Sequence, residues 1–234
     1  MKERNDDVPL PPHRKVGIIY NLKKGADNTA PDSEAELDSI ETVKAIREAL
    51  EKGGWDVELF EADETLPTRL LTTRIDIAFN IAEGKNGRGR EAQVPALLNI
   101  LGIPFTGSDE TTLCLALDKA LTKRILASFH IRTPRYALIT SAKSAAKLRY
   151  PAIVKPNAEG SSKGISEVSI AISSQELKAL VGHNLEIYGG SMLAEEYIPG
   201  REFTVGILGN GESTRVFTPM EIVFKRNTQG DYRV

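Results

Sequence analysis

The sequence predicts an α/β domain built on a parallel sheet, followed by an α+β unit. Three observations point there. Up to Thr106, short apolar runs alternate with stretches whose apolar residues recur every three or four positions, the pattern of strands joined by crossover helices. After Gly107 the rhythm changes: helical stretches come first, and the last strands follow one another across turns such as Gly209-Asn210-Gly211. Between them, the apolar run 150–154 delivers Lys155, stops at Pro156 and opens into Asn157-Ala158-Glu159-Gly160-Ser161-Ser162-Lys163-Gly164.

Lys15–Tyr20 (KVGIIY) reads as a buried strand, followed by a polar loop with Gly25, Asp27, Asn28 and Pro31. Ser33 offers a helix N-cap, and Glu36 three residues on completes a capping box. Leu37, Ile40, Val43, Ile46 and Leu50 then mark the apolar face of a helix that Gly53-Gly54 ends. Residues 55–60 form a second strand, 66–73 a short helix and 75–81 (IDIAFNI) a third strand. A helix over 90–101 stops at Gly102, and 103–106 is a brief fourth strand. This order implies a parallel sheet with helices on both faces, with Trp55 and the Leu37 stripe in its core.

Residues 111–129 read as one helical region carrying Asp118, Lys119 and Lys123, and Thr133-Pro134 breaks it. A strand at Tyr136–Ile139, a short helix over 144–149 and the strand 152–155 follow. The Gly-Ser loop leads into a strand over 164–172 and a helix over 174–182, capped by Ser174. Residues 192–197, 203–208 and 214–224 read as three strands. No internal repeat or low-complexity tract is present, and the change of pattern places a boundary near Gly107.

Composition narrows the function classes. Hydrophobic residues make up 41% and charged residues 26% of 234 positions, the balance of a soluble globular protein. A net charge of -2 gives no global field for nucleic acid or an anionic membrane, so neither is expected as a partner. The single cysteine, Cys114, excludes an intramolecular disulfide, fits a reducing cytosol and reads as a core residue. His13, His130 and His183 are too scattered for a metal site. The charged, proline-bearing residues 1–14 read as a leader without the apolar centre of a signal peptide.

Lys155 and the loop after it form an anion grip in outline. The lysine supplies a point charge, and a small Gly-Ser loop lets backbone N–H groups and hydroxyls approach a phosphate closely. Neither G-x-x-x-x-G-K-[ST] nor G-x-G-x-x-G occurs, so the nucleotide reading does not come from a common fingerprint.

Several segments, in order, resemble the D-alanine–D-alanine ligase family of ATP-grasp enzymes. Gly102-Ile103-Pro104-Phe105-Thr106-Gly107-Ser108 resembles the family's link between its N-terminal and central domains. Leu117-Asp118-Lys119 with Thr122-Lys123 resembles its next helix, and Thr133-Pro134 its "TP" step. Val154-Lys155-Pro156 with Glu159-Gly160-Ser161-Ser162 resembles its lysine strand and phosphate loop. Ala194-Glu195-Glu196-Tyr197-Ile198 and Gly200-Arg201-Glu202-Phe203-Thr204-Val205 resemble its adenine hinge and ribose-contacting strand.

The resemblance implies an N-terminal domain over 15–107, a central ATP-grasp subdomain over 108–190 and the start of a C-terminal subdomain over 191–234. It implies ATP as cosubstrate. Lys119 and Lys155 contact its phosphates, Ser161 and Ser162 close over them, Glu195, Glu196, Tyr197 and Ile198 frame adenine, and Glu202 binds the ribose. The implied chemistry is ATP-dependent amide formation through an acyl-phosphate, in the cytoplasm, for small amino-acid or peptide substrates. A homodimer through the N-terminal domain is implied as well.

Two departures shape the expectation. Where the family carries His-Gly and G-E-D-G elements, this chain reads Asn80-Ile81-Ala82-Glu83-Gly84-Lys85-Asn86-Gly87-Arg88-Gly89-Arg90-Glu91. Glu83 replaces the histidine, and Arg88 and Arg90 replace acidic character, which points to a different, more anionic substrate. Either Glu34 or Glu36 stands for the family's amine-binding glutamate; for Glu36 the capping-box reading weighs equally. The family's Mg²⁺ carboxylates, its asparagine ligand and its oxyanion arginine have no counterpart after Glu202. The reading therefore expects a truncated form whose ATP-grasp part is incomplete. The alternatives are an ATP-grasp ligase for another amino acid or peptide and a non-catalytic nucleotide-binding fragment.

Overall fold

The computed structural model describes residues 14–25, 32–144, 147–165 and 169–223. The leader up to His13, the Asp27-Asn28-Pro31 loop and 224–234 lie outside them. The chain divides into two compact units: Met1–Ile131 with Asn157–Lys163, and Arg132–Pro156 with Gly164–Val234. This division falls later than the change of pattern near Gly107.

The first unit is a parallel sheet of β1 (Lys15–Tyr20), β2 (Asp56–Glu61) and β3 (Ile77–Asn80) in the order β2-β1-β3. Strand side chains alternate between faces, so Val16, Ile18 and Tyr20 pack with Val43 and Val57 on one side, joined by Ile40, Ile46, Leu50 and Trp55. Ile19 and Phe60 pack on the other side with Leu66, Leu70, Val94 and Leu98. Helix α1 (Ile40–Lys52) therefore covers one face, and α2 (Leu66–Thr72) and α3 (Gln93–Leu101) the other. Gly17 is fitted to this core, since a Cβ there would lie 2.8 Å from Ile75 Cδ1 and 2.9 Å from Phe60 Cε2. Residues 103–106 contribute one parallel bridge, Ala78 to Phe105, and not a full strand.

The predicted cap of α1 is corrected. Ser39, not Ser33, is the N-cap: its side chain accepts from Thr42 N at 3.2 Å. Residues 32–37 are turns. The predicted single helix over 111–129 is two, α4 (Glu110–Leu117) and α5 (Lys119–Ser128). Asp118 divides them, with extended backbone and a carboxylate that accepts from Leu121 N at 3.0 Å. Cys114 is exposed, against the expectation of a core thiol.

The second unit is an antiparallel sheet, β4 (Tyr136–Ile139), β5 (Ala152–Pro156), β6 (Ile170–Ala171) and β7 (Met192–Glu196), in the order β4-β7-β5-β6. Helix α6 (Ser174–Tyr188) packs Leu177 and Val181 against Val154, Met192 and Ala194. Its cap is Ser173 and not Ser174, and the helix runs through Gly182 to Tyr188, with Leu177 and Val181 packed on the sheet, and ends at Gly189. The short helix predicted over 144–149 is not present in described residues 144 and 147–149. The strand predicted over 164–172 is reduced to β6 among the described residues. Two ladders finish the unit: β8 (Glu202–Thr204) with β11 (Met220–Ile222), and β9 (Ile207–Leu208) with β10 (Arg215–Val216).

Candidate functional site

In the order β2-β1-β3 the chain moves to one side of β1 and then to the other, and ligands bind beyond the carboxyl ends of strands at such a reversal. Asn21 follows β1 directly and ties the strand ends together. Its Oδ1 accepts from Glu83 N and Gly84 N, both at 3.0 Å, and its Nδ2 donates to Ala62 O at 3.1 Å. Sequence reasoning missed Asn21; a polar residue at the exit of a parallel strand was the available signal. Gly84 has φ +74, and a Cβ there would lie 2.0 Å from Arg90 O, so the turn admits glycine alone without rearrangement. A cavity of about 400 Å³ opens here, lined among others by Asn21, Glu34, Glu36, Glu83, Arg90 and Lys163.

Charge is dense around it. One carboxylate oxygen from each of Glu36, Glu83 and Glu91 lies within 4.8 Å of the others. Burial, then the charges of Glu91 and Glu36, push Glu83 up to about 7 against the pull of Arg90. Burial raises Glu91 as well, with Arg90 opposing. Arg90 Nη2 donates to both Glu36 oxygens, at 2.7 and 2.6 Å, and lies 3.4 Å from Glu159 Oε2. Its Nη1 donates to Ala158 O at 3.0 Å. Arg90 Nη2 already occupies both Glu36 oxygens, so this trio does not fit a resident divalent cation. Arg88 parts company with Arg90: its side chain is 78% exposed, 3.6 Å from Asp118 Oδ2. Glu34 accepts from Lys24 N at 2.8 Å and Gly25 N at 3.0 Å.

The Gly-Ser loop belongs to the same unit. Asn157 is buried, accepts from Ala120 N at 2.9 Å through Oδ1 and donates to Asp118 Oδ1 at 2.9 Å, while its carbonyl takes Lys119 N at 3.0 Å. Burial raises the Asp118 carboxyl, but hydrogen bonds from Asn157 and Leu121 and the Arg88 charge outweigh it and hold the group below its ordinary range. Lys119 Nζ donates to Glu159 O, Lys163 Nζ to Glu159 Oε2 at 2.8 Å, and Gly160 N to Glu36 Oε1. Ser161 and Ser162 follow with φ of 44 and 59, left-handed backbone that non-glycine residues seldom adopt. Both are exposed, so their hydroxyls and the turn face solvent.

The second unit presents another cluster. β5 and β7 are antiparallel, with Lys155 opposite Leu193 and Ile153 opposite Glu195. That register makes Lys155 and Glu195 diagonal neighbours on one face, and Lys155 Nζ donates to Glu195 Oε1. Glu195 is buried, whereas Glu196 on the other face accepts from Arg149 N at 3.1 Å. Tyr197 N donates to Pro151 O at 3.0 Å. Ile198 is exposed, and Glu202, also exposed, sits opposite Ile222 on the β8–β11 ladder.

Residues 129–233 match the family model for the D-ala D-ala ligase C-terminus. A D-alanine–D-alanine ligase of Pseudomonas entomophila (strain L48) is 38% identical over 198 residues, covering 83% of this chain and 58% of that protein. One of Aquifex aeolicus (strain VF5) is 37% identical over 199 residues, covering 83% and 64%. The solved D-alanine–D-alanine ligase of Bacillus anthracis complexed with ATP matches with a TM-score of 0.64 at 23% identity, over 92% of this chain and 72% of that one. That of Helicobacter pylori matches with a TM-score of 0.66 at 18% identity, over 90% and 75%. At such identities the structural likeness shows the fold, and that fold is of the ATP-grasp class. By sequence the chain is similar to D-alanine–D-alanine ligases over most of its own length, and residues 129–233 carry the pattern of that family's C-terminal part. It spans less than two thirds of the length of these curated relatives.

Proposed function

We propose that the chain acts in ATP-dependent carboxylate–amine ligation, forming an amide bond through an acyl-phosphate. The observation that carries this is Lys155, fixed by Glu195 at the end of an apolar strand that runs into the Gly-Ser loop. An ammonium has three donors, so Lys155 holds Glu195 and still offers protons to a phosphate. Lys119, Ser161 and Ser162 join it on the phosphates. Glu195 to Ile198 frame adenine, and the exposed Glu202 carboxylate accepts from ribose hydroxyls. In this reaction a substrate carboxylate takes the terminal phosphoryl group of ATP, releasing ADP. An amine then displaces phosphate, leaving an amide and a proton. The protein's share is positioning and charge stabilisation.

Glu36, Glu83 and Arg90 line the cavity and take the amino-acid or peptide substrate there, with Arg88 at its outer edge. Magnesium accompanies the nucleotide. The domains run 15–107, 108–190 and 191–234, in a cytoplasmic homodimer. Among the described residues no helix is long and apolar enough to cross a membrane.

A second reading is a ligase for an amino acid or peptide other than D-alanine. Glu83 at the end of β3 favours it, because a carboxyl poised near 7 recognises a partner differently from the family's histidine. ADP release measured with D-alanine and with a panel of amino acids and dipeptides separates the two. ATP binding without turnover on any of them supports a nucleotide-binding fragment, and absence of ATP binding sinks all three.

A further inference from the structure

The Gly-Ser loop is held from two sides within its own unit. On one side Asn157 is bolted to the start of α5 through Ala120 N and Asp118. On the other, Arg90 donates to Ala158 O and to Glu36 and lies 3.4 Å from Glu159, and Glu36 in turn accepts from Gly160 N, while Lys119 and Lys163 donate to Glu159. Gly160 is fitted to that carboxylate, since a Cβ there would lie 2.8 Å from Glu36 Oε1. The next two residues, Ser161 and Ser162, are held left-handed, a conformation that persists only where the surroundings enforce it. The Arg90 and Glu36 side chains are 11% and 5% exposed, so water screens their pairing little.

We propose that Arg90 is a positioning residue for the phosphate loop. Acting through Glu36 and the Ala158 carbonyl, it fixes residues 158–162 in the shape that receives a nucleotide phosphate. The guanidinium suits this task because its rigid planar fork fixes the directions of its bonds to the carboxylate and the carbonyl, whereas the donors of an ammonium rotate. The proposal rests on the nucleotide reading above for the loop's ligand, but the hold on the loop is measurable without any ligand.

Amide hydrogen exchange on the ligand-free protein supplies the first readout, and titration with ATP the second. In Arg90→Gln, exchange across 158–162 should rise by about tenfold or more while Ile18 and Ile19 of β1 stay protected, and ATP should bind about tenfold more weakly. Arg90→Lys, which keeps the charge and loses the fork, should fall between the two. Arg90→Gln combined with Glu36→Gln removes both charges together, so it should fold and still show the loosened loop. Unchanged loop exchange in the double variant overturns the proposal, as does a loosened loop that leaves ATP affinity intact. A wild-type protein with a protected loop and no ATP affinity sinks the nucleotide reading, while the exchange data still decide whether Arg90 holds the loop.

Discussion

Lys155 and Glu83 show how carboxylate neighbours act differently on a cation and on a half-buried acid. Lys155 donates to buried Glu195 and, with three donors on its ammonium, has protons to share. Lys155→Ala is expected to weaken ATP binding by about 1–3 kcal/mol, the scale of a lost charge-assisted hydrogen bond, when measured by calorimetry. Glu83 instead meets Glu91 and Glu36 in a half-buried pocket and is pushed up to about 7 from an ordinary 4.5. The folded protein therefore keeps this proton where the unfolded chain has lost it. Rising pH between about 4.5 and about 7 favours unfolding, and the loss levels off above that window. Denaturant titrations at several pH values should show this decline in the wild type and a shallower one in Glu83→Gln. Parallel slopes would refute the assignment. The lysine was legible in sequence as an apolar strand that ends in a charge. Glu83's proton was not, because it depends on Glu36 and Glu91, brought in from other segments.

At the scale of elements, caps and turns decide where the site's backbone goes. Ser33 with Glu36 has the spacing of a capping box, and the sequence offers no local reason to prefer Ser39. Tertiary contact makes the choice: Glu36 is drawn to Arg90 and Gly160, and the helix starts later. Ser39→Ala should cost about 1 kcal/mol in stability and Ser33→Ala close to nothing, read from denaturation midpoints. The turn after β3 carries a stricter demand. Gly84→Ala forces a side chain at φ +74 into Arg90 O and should cost about 2–4 kcal/mol, with a matching loss of protection at Glu83 and Arg90. The β1, β2 and β4 strands were legible because apolar runs bounded by polar residues identify themselves. The division between α4 and α5 was not, since Asp118 caps the second helix only with Asn157 beside it.

Across the whole molecule, stability is unevenly spread. Ile18, Phe60 and Leu98 lie fully buried in the first unit, and Val154, Met192 and Ala194 in the second. By contrast residues 201–223 have no buried member, and Phe203, Ile207, Leu208, Val216 and Met220 are exposed. Two-stranded ladders with so little burial are marginal. Hydrogen exchange should therefore be fast at Phe203 and Glu221 and slow at Val154 and Ala194; equal protection would contradict this ranking.

The sequence by itself determined β1 to β5 and β7, the lysine strand with its Gly-Ser loop and the family the chain resembles, while the single strands read over 203–208 and 214–224 are each divided into two short pieces. These are local or ordered signals: alternation, periodicity, and motifs that occur in register. Only the tertiary structure decided that Arg90 turns inward while Arg88 faces solvent, that Glu36 leaves its capping box, and that Asn21 joins three strand ends. Each of those outcomes depends on partners far away in the chain, Arg90 to Glu159 and Asn21 to Glu83 among them. Which charge is buried is settled by the fold that surrounds it, because the cost of burying a charge is met only by a partner placed against it.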